Sequence, residues 1–388
     1  MSGLGLALGG GGSRGSYQIG AWRAFRELGF SFQAIVGTSI GAVNAALMIG
    51  SDYERAVSMW ENLKLEQCLA FSQDLELKSS DLLNIKNANM LGREVLLQKG
   101  LDTQPLRDLL GQYVSEAAIR QSSVRYGVMT ATLPDLNARP YWIDGIPPGQ
   151  LIDFIMASAH LPGLKPVKIG ERRFIDGGFA EIVPVSMLRR AGIRNIVAVD
   201  LEYRRSIRGP LDDNVQLTYI HNKLNLGGIL DLSPEVLRRN QQLGYLDTMK
   251  ALDQLNGEYY AFQPYDYQVL VSEFGPDNLA GLEQAALVYE MDRCPIYTAE
   301  AFINGIRERR GQVQQVYKDS RQALQIENKL QALSNGQLKI LKLLPPIKLA
   351  FLMELMIAQQ GGSSIKIPIR LFNNLDTAAR ALRALPEE

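Results

Sequence analysis

A serine becomes a useful nucleophile when a sharp turn lifts its hydroxyl clear of its neighbours and a base stands within reach. The segment Gly37-Thr38-Ser39-Ile40-Gly41 has the Gly-x-Ser-x-Gly spacing of such a turn. An apolar run precedes it, and a stretch of small residues with Gly41, Ala42, Ala45 and Ala46 follows, which is the strand-to-helix setting the turn requires. Ser39 would then lie at a helix N-terminus, where the dipole favours negative charge and the Ile40 N–H can point at a developing oxyanion. A second glycine cluster, Gly10-Gly11-Gly12-Ser13-Arg14-Gly15, also follows an apolar run. Consecutive glycines allow several N–H groups to converge on one oxygen, so this loop reads as an oxyanion hole beside the serine.

The proton of Ser39 needs an acceptor. The chain has only two histidines, His160 and His221, and His221 falls in a polar stretch beyond the α/β pattern. His160 ends an expected helix, where it can cap the helix, pack in the core or face the site. Asp176, in Phe174-Ile175-Asp176-Gly177-Gly178, is the rival. An exposed aspartate titrates near pH ~4, so Asp176 must be partly desolvated to act as a base, and a strand-end position beside a serine supplies that. Asp-Gly is equally a turn signal.

Gly10, Gly12 and Gly15 also satisfy Gly-x-Gly-x-x-Gly, so a nucleotide-binding module using Gly10 to Gly15 is a competing reading. That reading needs an acidic residue at the end of the second strand to hold a ribose. Gly37-Thr38-Ser39 occupies the place.

The elements that must carry these residues alternate. Strands are expected over 4–8, 33–36, 125–133, 138–144, 169–175 and 195–201, and helices over 16–28, 42–49, 149–159 and 184–190. Such alternation predicts an α/β fold with a mainly parallel sheet covered on both faces. The stretch 53–116 reads as a mainly helical insertion. Beyond residue 201 the pattern turns helical, with a helix opening at Ser233-Pro234-Glu235 and running to about Gly257. The expected organisation is a catalytic core over 4–202, accessory helices and loops over 203–298 packed on that core, and a helical extension over 299–388.

Composition narrows the function class. Of 388 residues, 46% are hydrophobic and 21% charged, with 41 basic against 41 acidic, so nothing favours nucleic acid. Two cysteines, Cys68 and Cys294, imply neither a disulfide framework nor a metal site, and fit a cytoplasmic protein. No secretory signal is expected at the N-terminus. The apolar stretch 338–358 is broken by Lys342, Pro345, Pro346, Lys348 and Glu354, which rules against a membrane span. Lys339, Lys342 and Lys348 among apolar residues could lie on an anionic membrane surface, or the same segment could be a core helix with snorkelling lysines.

Three ordered motifs resemble the patatin-like phospholipases: Gly10-Gly11-Gly12-Ser13-Arg14-Gly15, Gly37-Thr38-Ser39-Ile40-Gly41-Ala42 and Asp176-Gly177-Gly178. Ala157-Ser158 followed by Pro162-Gly163 and Pro166-Val167 also looks like that family, and the resemblance covers residues 4 to 202. It implies a three-layer α/β/α fold and cleavage of fatty acyl esters, phospholipid or lysophospholipid, by a Ser-Asp dyad without metal or cofactor. Carried over, Ser39 is the nucleophile, Asp176 the proton acceptor, and the amides of Gly10, Gly11 and Gly12 the oxyanion hole. Arg14 falls on a basic position of the loop that braces it or attracts a lipid phosphate. Val183, His160 and Ile40 depart from the family pattern and bear on the shape of the pocket. The size of 203–388 and its lack of chemical motifs leave room for a regulated effector whose C-terminal half occludes the site.

Overall fold

A computed structural model describes residues 3–70, 100–207, 214–324, 346–358 and 373–385. Two compact units divide the chain, residues 1–252 and 253–388.

The first unit is built on a sheet. Five strands run parallel in the order β3 (Arg125–Thr132), β2 (Ala34–Thr38), β1 (Leu4–Leu8), β7 (Asn195–Asp200) and β8 (Gln216–His221). Three further strands are antiparallel to their neighbours: β4 (Ala138–Trp142), β5 (Lys168–Ile169) and β6 (Arg172–Asp176). The expected strand over 169–175 is therefore a hairpin, turning at Gly170 with φ +59°.

Alternation along the strands explains the layers. Leu6, Leu8, Val197 and Val199 face one core, which takes in α1 (Ser16–Glu27) and α2 (Ile40–Gly50). Ala7, Val36 and Ala198 face the other, with Val185, Met187 and Leu188 of a short helix, Val185–Arg190. Both faces of the sheet are covered, so the fold is the three-layer α/β/α arrangement.

One feature differs from the expectation. Residues 216–221 are an edge strand, because Gln-Leu-Thr-Tyr-Ile-His buries only one residue fully and its apolar signal is weak. His221 consequently ends β8 rather than lying beyond the α/β pattern. The helix Pro234–Ala251 packs on α1 within the same unit, closely enough that a Cβ at Gly20 would lie 1.7 Å from the Gln241 carbonyl oxygen. The first unit thus runs past residue 202 to Leu252.

The second unit is helical, with an aromatic and aliphatic core that includes Tyr260, Phe262, Leu282, Phe302 and Met353. Its helices include Pro264–Phe274, Pro276–Val288, Ala299–Leu324, Pro346–Ala358 and Asn373–Ala384. Phe351, Leu352, Met353 and Met356 of the apolar late segment are buried in this core, whereas Lys339 and Lys342 lie outside the described residues. Among the described residues no helix is long and apolar enough to cross a membrane.

Candidate active site

Strand register brings Ser39 and Asp176 together. Thr38 of β2 pairs with Met129 of β3, and Asp176 of β6 pairs with Thr130, the next residue of β3. The other edge of β3 is held by β4 over 127–131, so β2 and β6 share one edge and meet end to end. The last residue of β6 therefore arrives where β2 stops and the Ser39 turn begins.

That turn is strained in the manner of a nucleophile elbow. Ser39 has φ 54° and ψ −124°, a left-handed conformation that a non-glycine residue adopts only when its surroundings enforce it. The flanking glycines permit it. A Cβ on Gly37 would lie 2.1 Å from the Gly41 carbonyl oxygen, and one on Gly41 would lie 2.2 Å from the Leu8 carbonyl oxygen. Ser158, the last residue of the helix Leu151–Ser158, fixes the elbow from the side: its hydroxyl accepts from the Ser39 N–H at 2.8 Å and donates to the Met129 carbonyl at 2.6 Å.

Ser39 and Asp176 are both buried, 8% and 5% exposed, at the wall of a cavity of about 230 Å³. Oδ1 of Asp176 accepts from the Gly178 N–H at 2.7 Å, while Oδ2 is buried with no hydrogen-bond partner. Burial pushes the Asp176 carboxyl above its ordinary value; the Ser39 hydroxyl, the Gly178 N–H and the charge of His160 pull the other way, in that order. Oδ2 takes no hydrogen bond from Ser39, although the two side chains line the same cavity. Contacts of this kind are commonly long before substrate binds.

The glycine loop lines the same cavity through Gly10, Gly11 and Gly12. Gly10 donates its N–H to the Ile182 carbonyl at 3.1 Å, so this amide is already engaged. Its lack of a side chain serves the site differently, since a Cβ there would come within 3.2 Å of the Ser39 Cβ. The amides of Gly11, Gly12 and Ile40 take no acceptor among the described backbone hydrogen bonds. Arg14 does not itself line the cavity, although its partner Glu202 does. Its Nε donates to the Gly227 carbonyl at 2.8 Å and its guanidinium pairs with Glu202 at 2.8 Å, bracing the loop.

Both histidines are accounted for. His160 is buried beside the dyad: its carbonyl accepts from the Asp176 N–H at 2.8 Å, its Nε2 is 3.3 Å from the Leu164 carbonyl, and its Nδ1 has no partner. His221, on β8, lies with its ring tilted 5.0 Å from that of Tyr219 and does not line the cavity. Cys68 offers no competing nucleophile, because burial pushes its thiol up to about 12. Among the described residues no cluster of His, Cys, Asp or Glu has the makings of a metal site.

Several supporting residues escape a reading of spacing alone. Asn44, fully buried on α2, donates to the Gly15 carbonyl and to Gln18, and accepts from the Trp60 indole at 3.0 Å. Gln18 in turn donates to the Gly9 carbonyl at 2.8 Å. This network ties both ends of the glycine loop to the helix that carries the nucleophile. The available signal was a polar side chain set in an otherwise apolar helix, since buried amides must be satisfied.

Residues 6–189 match the family described as patatin-like phospholipase. A relative from Candida albicans, named lysophospholipase NTE1, is 25% identical over 281 residues, covering 68% of this chain and 18% of that protein. A Mycobacterium bovis protein named as an uncharacterized NTE family member is 28% identical over 210 residues, covering 54% of this chain and 51% of that one. The chain thus spans less than a fifth of the fungal relative and about half of the mycobacterial one. The solved structure of VipD from Legionella pneumophila aligns over the whole chain and 89% of that protein, with TM-score 0.41 and 14% identity.

Proposed function

Residues 6–189 of this chain are a patatin-like phospholipase domain, and from that premise we propose that the protein is a serine lipid acyl hydrolase working through Ser39 and Asp176. Oγ of Ser39 attacks the ester carbonyl carbon while Oδ2 of Asp176 takes its proton. The amides of Gly11, Gly12 and Ile40 receive the oxyanion, at a helix N-terminus that already favours negative charge. Collapse of the tetrahedral intermediate expels the alcohol, which leaves with the proton from Asp176. Water then attacks the acyl-enzyme, gives a proton to Asp176, and releases the fatty acid as Ser39 is reprotonated.

One observation carries the reading: a buried carboxylate oxygen without a donor and a serine held in an enforced left-handed turn line the same cavity. A phospholipid or lysophospholipid is the substrate class, supported by the family match and by the name of the fungal relative. Gly10 joins the oxyanion donors only if the Ile182 carbonyl moves away, so three amides form the working set. A dinucleotide has less to hold it, because β2 ends at Thr38 and is followed by Ser39, with no carboxylate at either position.

The test is fatty-acid release from phospholipid vesicles and from lysophospholipid by the wild type and three variants. Ser39→Ala and Asp176→Asn should each lose at least about 10³-fold in turnover, while His160→Ala keeps most of it. Loss confined to His160→Ala would transfer the base role to the imidazole and sink the dyad.

A further inference from the structure

Exposed large hydrophobic side chains are unevenly spread over the first unit. Among its described residues they are Leu133, Leu136, Phe179, Tyr203 and Ile229, 39–50% exposed. All five lie on connections at the carboxyl edge of the parallel strands, the edge that carries Ser39: Leu133 and Leu136 follow β3, Phe179 follows the Asp176 turn, Tyr203 follows β7 and Ile229 follows β8. A concentration of apolar surface on one edge marks an interaction site.

The connection after β3 forms a lobe with the neighbouring β5–β6 hairpin. Thr132 pairs with Phe174, and the Leu133 N–H donates to the Arg173 carbonyl at 3.0 Å, so the β3–β4 turn and the β5–β6 hairpin project side by side. The β3–β4 turn is tied internally. The Leu136 N–H donates to the Thr132 carbonyl at 2.8 Å, the Thr132 hydroxyl donates to Asp135 at 2.8 Å, and Leu136 is held at φ 52°. A leucine kept in a left-handed turn with 43% of its surface exposed is being presented outward.

Charge on the lobe has one dominant sign. Arg139, Lys168, Arg172 and Arg173 are exposed, and none has a carboxylate partner among the described residues. Against them stand Asp135, which Thr132 and Asn137 engage, and Glu171. Apolar tips surrounded by unpaired cations fit a bilayer containing anionic lipid, where leucines enter the acyl boundary and arginines meet phosphates.

We propose that the paired hairpins carrying Leu133, Leu136, Lys168, Arg172 and Arg173 dock the active-site edge of this protein on an anionic phospholipid surface. The inference deepens the lipid-hydrolase reading and rests on it for the identity of the surface. Docking there would bring the cavity mouth to the lipid without requiring the apolar segment 338–358.

The experiment measures binding without turnover. The full chain carrying Ser39→Ala is sedimented with phosphatidylcholine vesicles with and without phosphatidylglycerol, at low and high salt. We expect binding that depends on phosphatidylglycerol and weakens with salt. Adding Arg172→Gln and Arg173→Gln should weaken it about 25-fold, near fivefold per charge. Adding Leu133→Ser and Leu136→Ser should weaken it about tenfold or more on every vesicle that binds. Thermal melting followed by circular dichroism monitors folding, and the exposed arginine pair remains decisive should the leucine pair lower the melting temperature. Unchanged binding by the arginine variant overturns the proposal. So does a leucine variant whose only change is a smaller particle mass by light scattering, which would assign the lobe to contact between copies of this chain. Vesicle binding by the Ser39→Ala chain, with no ester hydrolysis by the wild type on the same vesicles, would leave the docking face standing and remove the hydrolase reading; hydrolysis by the wild type without binding would do the reverse.

Discussion

The described buried carboxylates of the second unit are fully engaged, whereas the first unit holds one that is engaged and one that is not. In the second unit, Glu283 accepts from the backbone N–H groups of Glu258, Tyr259 and Tyr260, and Glu354 accepts from Tyr289, Arg310 and Gln314. Both are pinned on each oxygen, and they act as braces between elements distant in sequence. In the first unit, Asp200 follows the same rule, receiving the N–H groups of Glu202 and Ser206 and the hydroxyls of Ser206 and Tyr219. Asp176 does not, since one of its oxygens is buried with no donor. A buried charge without its full complement of donors costs stability, so its persistence points to work other than holding the fold together.

The largest effect should separate chemistry from stability at that residue. Asp176→Asn removes the proton acceptor, and we expect ester hydrolysis to fall at least about 10³-fold. Stability should hold or rise, because the neutral amide keeps an oxygen for the Gly178 N–H and no longer confines a charge. Glu283→Ala should behave in the contrary way. Three backbone N–H groups lose their acceptor together, and we expect a loss of about 3 kcal/mol in the unfolding of the second unit by denaturant. Equal stability losses in the two variants would erase the distinction between a working carboxylate and a bracing one.

A smaller effect is expected one layer below the nucleophile. Asn44→Ala strands the Trp60 indole N–H and the Gly15 carbonyl, and should cost about 2 kcal/mol in denaturant unfolding. Because Asn44 acts on the site by tying the glycine loop to the helix that follows Ser39, kcat should fall more than KM rises. A variant with normal kcat and lowered stability would show that the network serves the fold alone.

Legibility follows from how local each signal is. β1 occupies the expected 4–8 and β7 lies within the expected 195–201, because strands buried on both faces read as continuous apolar runs. Ser39 was legible through Gly37 and Gly41, whose missing side chains are a local steric requirement. The nearness of Asp176 to Ser39 was not derivable from spacing. It depends on β4 taking one edge of β3 and leaving β2 and β6 to share the other, a non-local choice that only the family resemblance anticipated. The edge strand β8 was missed because its residues are half exposed and alternate weakly. Engagement of the Gly10 amide by Ile182 was invisible for the same reason as the dyad, as it joins residues far apart in sequence.

The finest test of the comparison is its pH dependence. Burial raises the Asp176 carboxyl, so between its ordinary and its raised value the native state keeps a proton that the unfolded chain has lost. Whatever stability the protonated form contributes is present at acid pH and is lost as pH climbs through that window. Asp102 runs the other way: its bond to Lys165 lowers its pKa, and its contribution is lost as pH falls. For catalysis the base must be ionised, so the acid limb of kcat/KM should lie above the ordinary carboxylate range. His160→Ala removes the weakest of the influences that lower Asp176, and should therefore move that limb slightly to higher pH while leaving the plateau rate nearly intact. An acid limb that stays in the ordinary range would mean that the carboxyl is solvated during turnover, and the contrast with Glu283 and Glu354 would then carry no catalytic meaning.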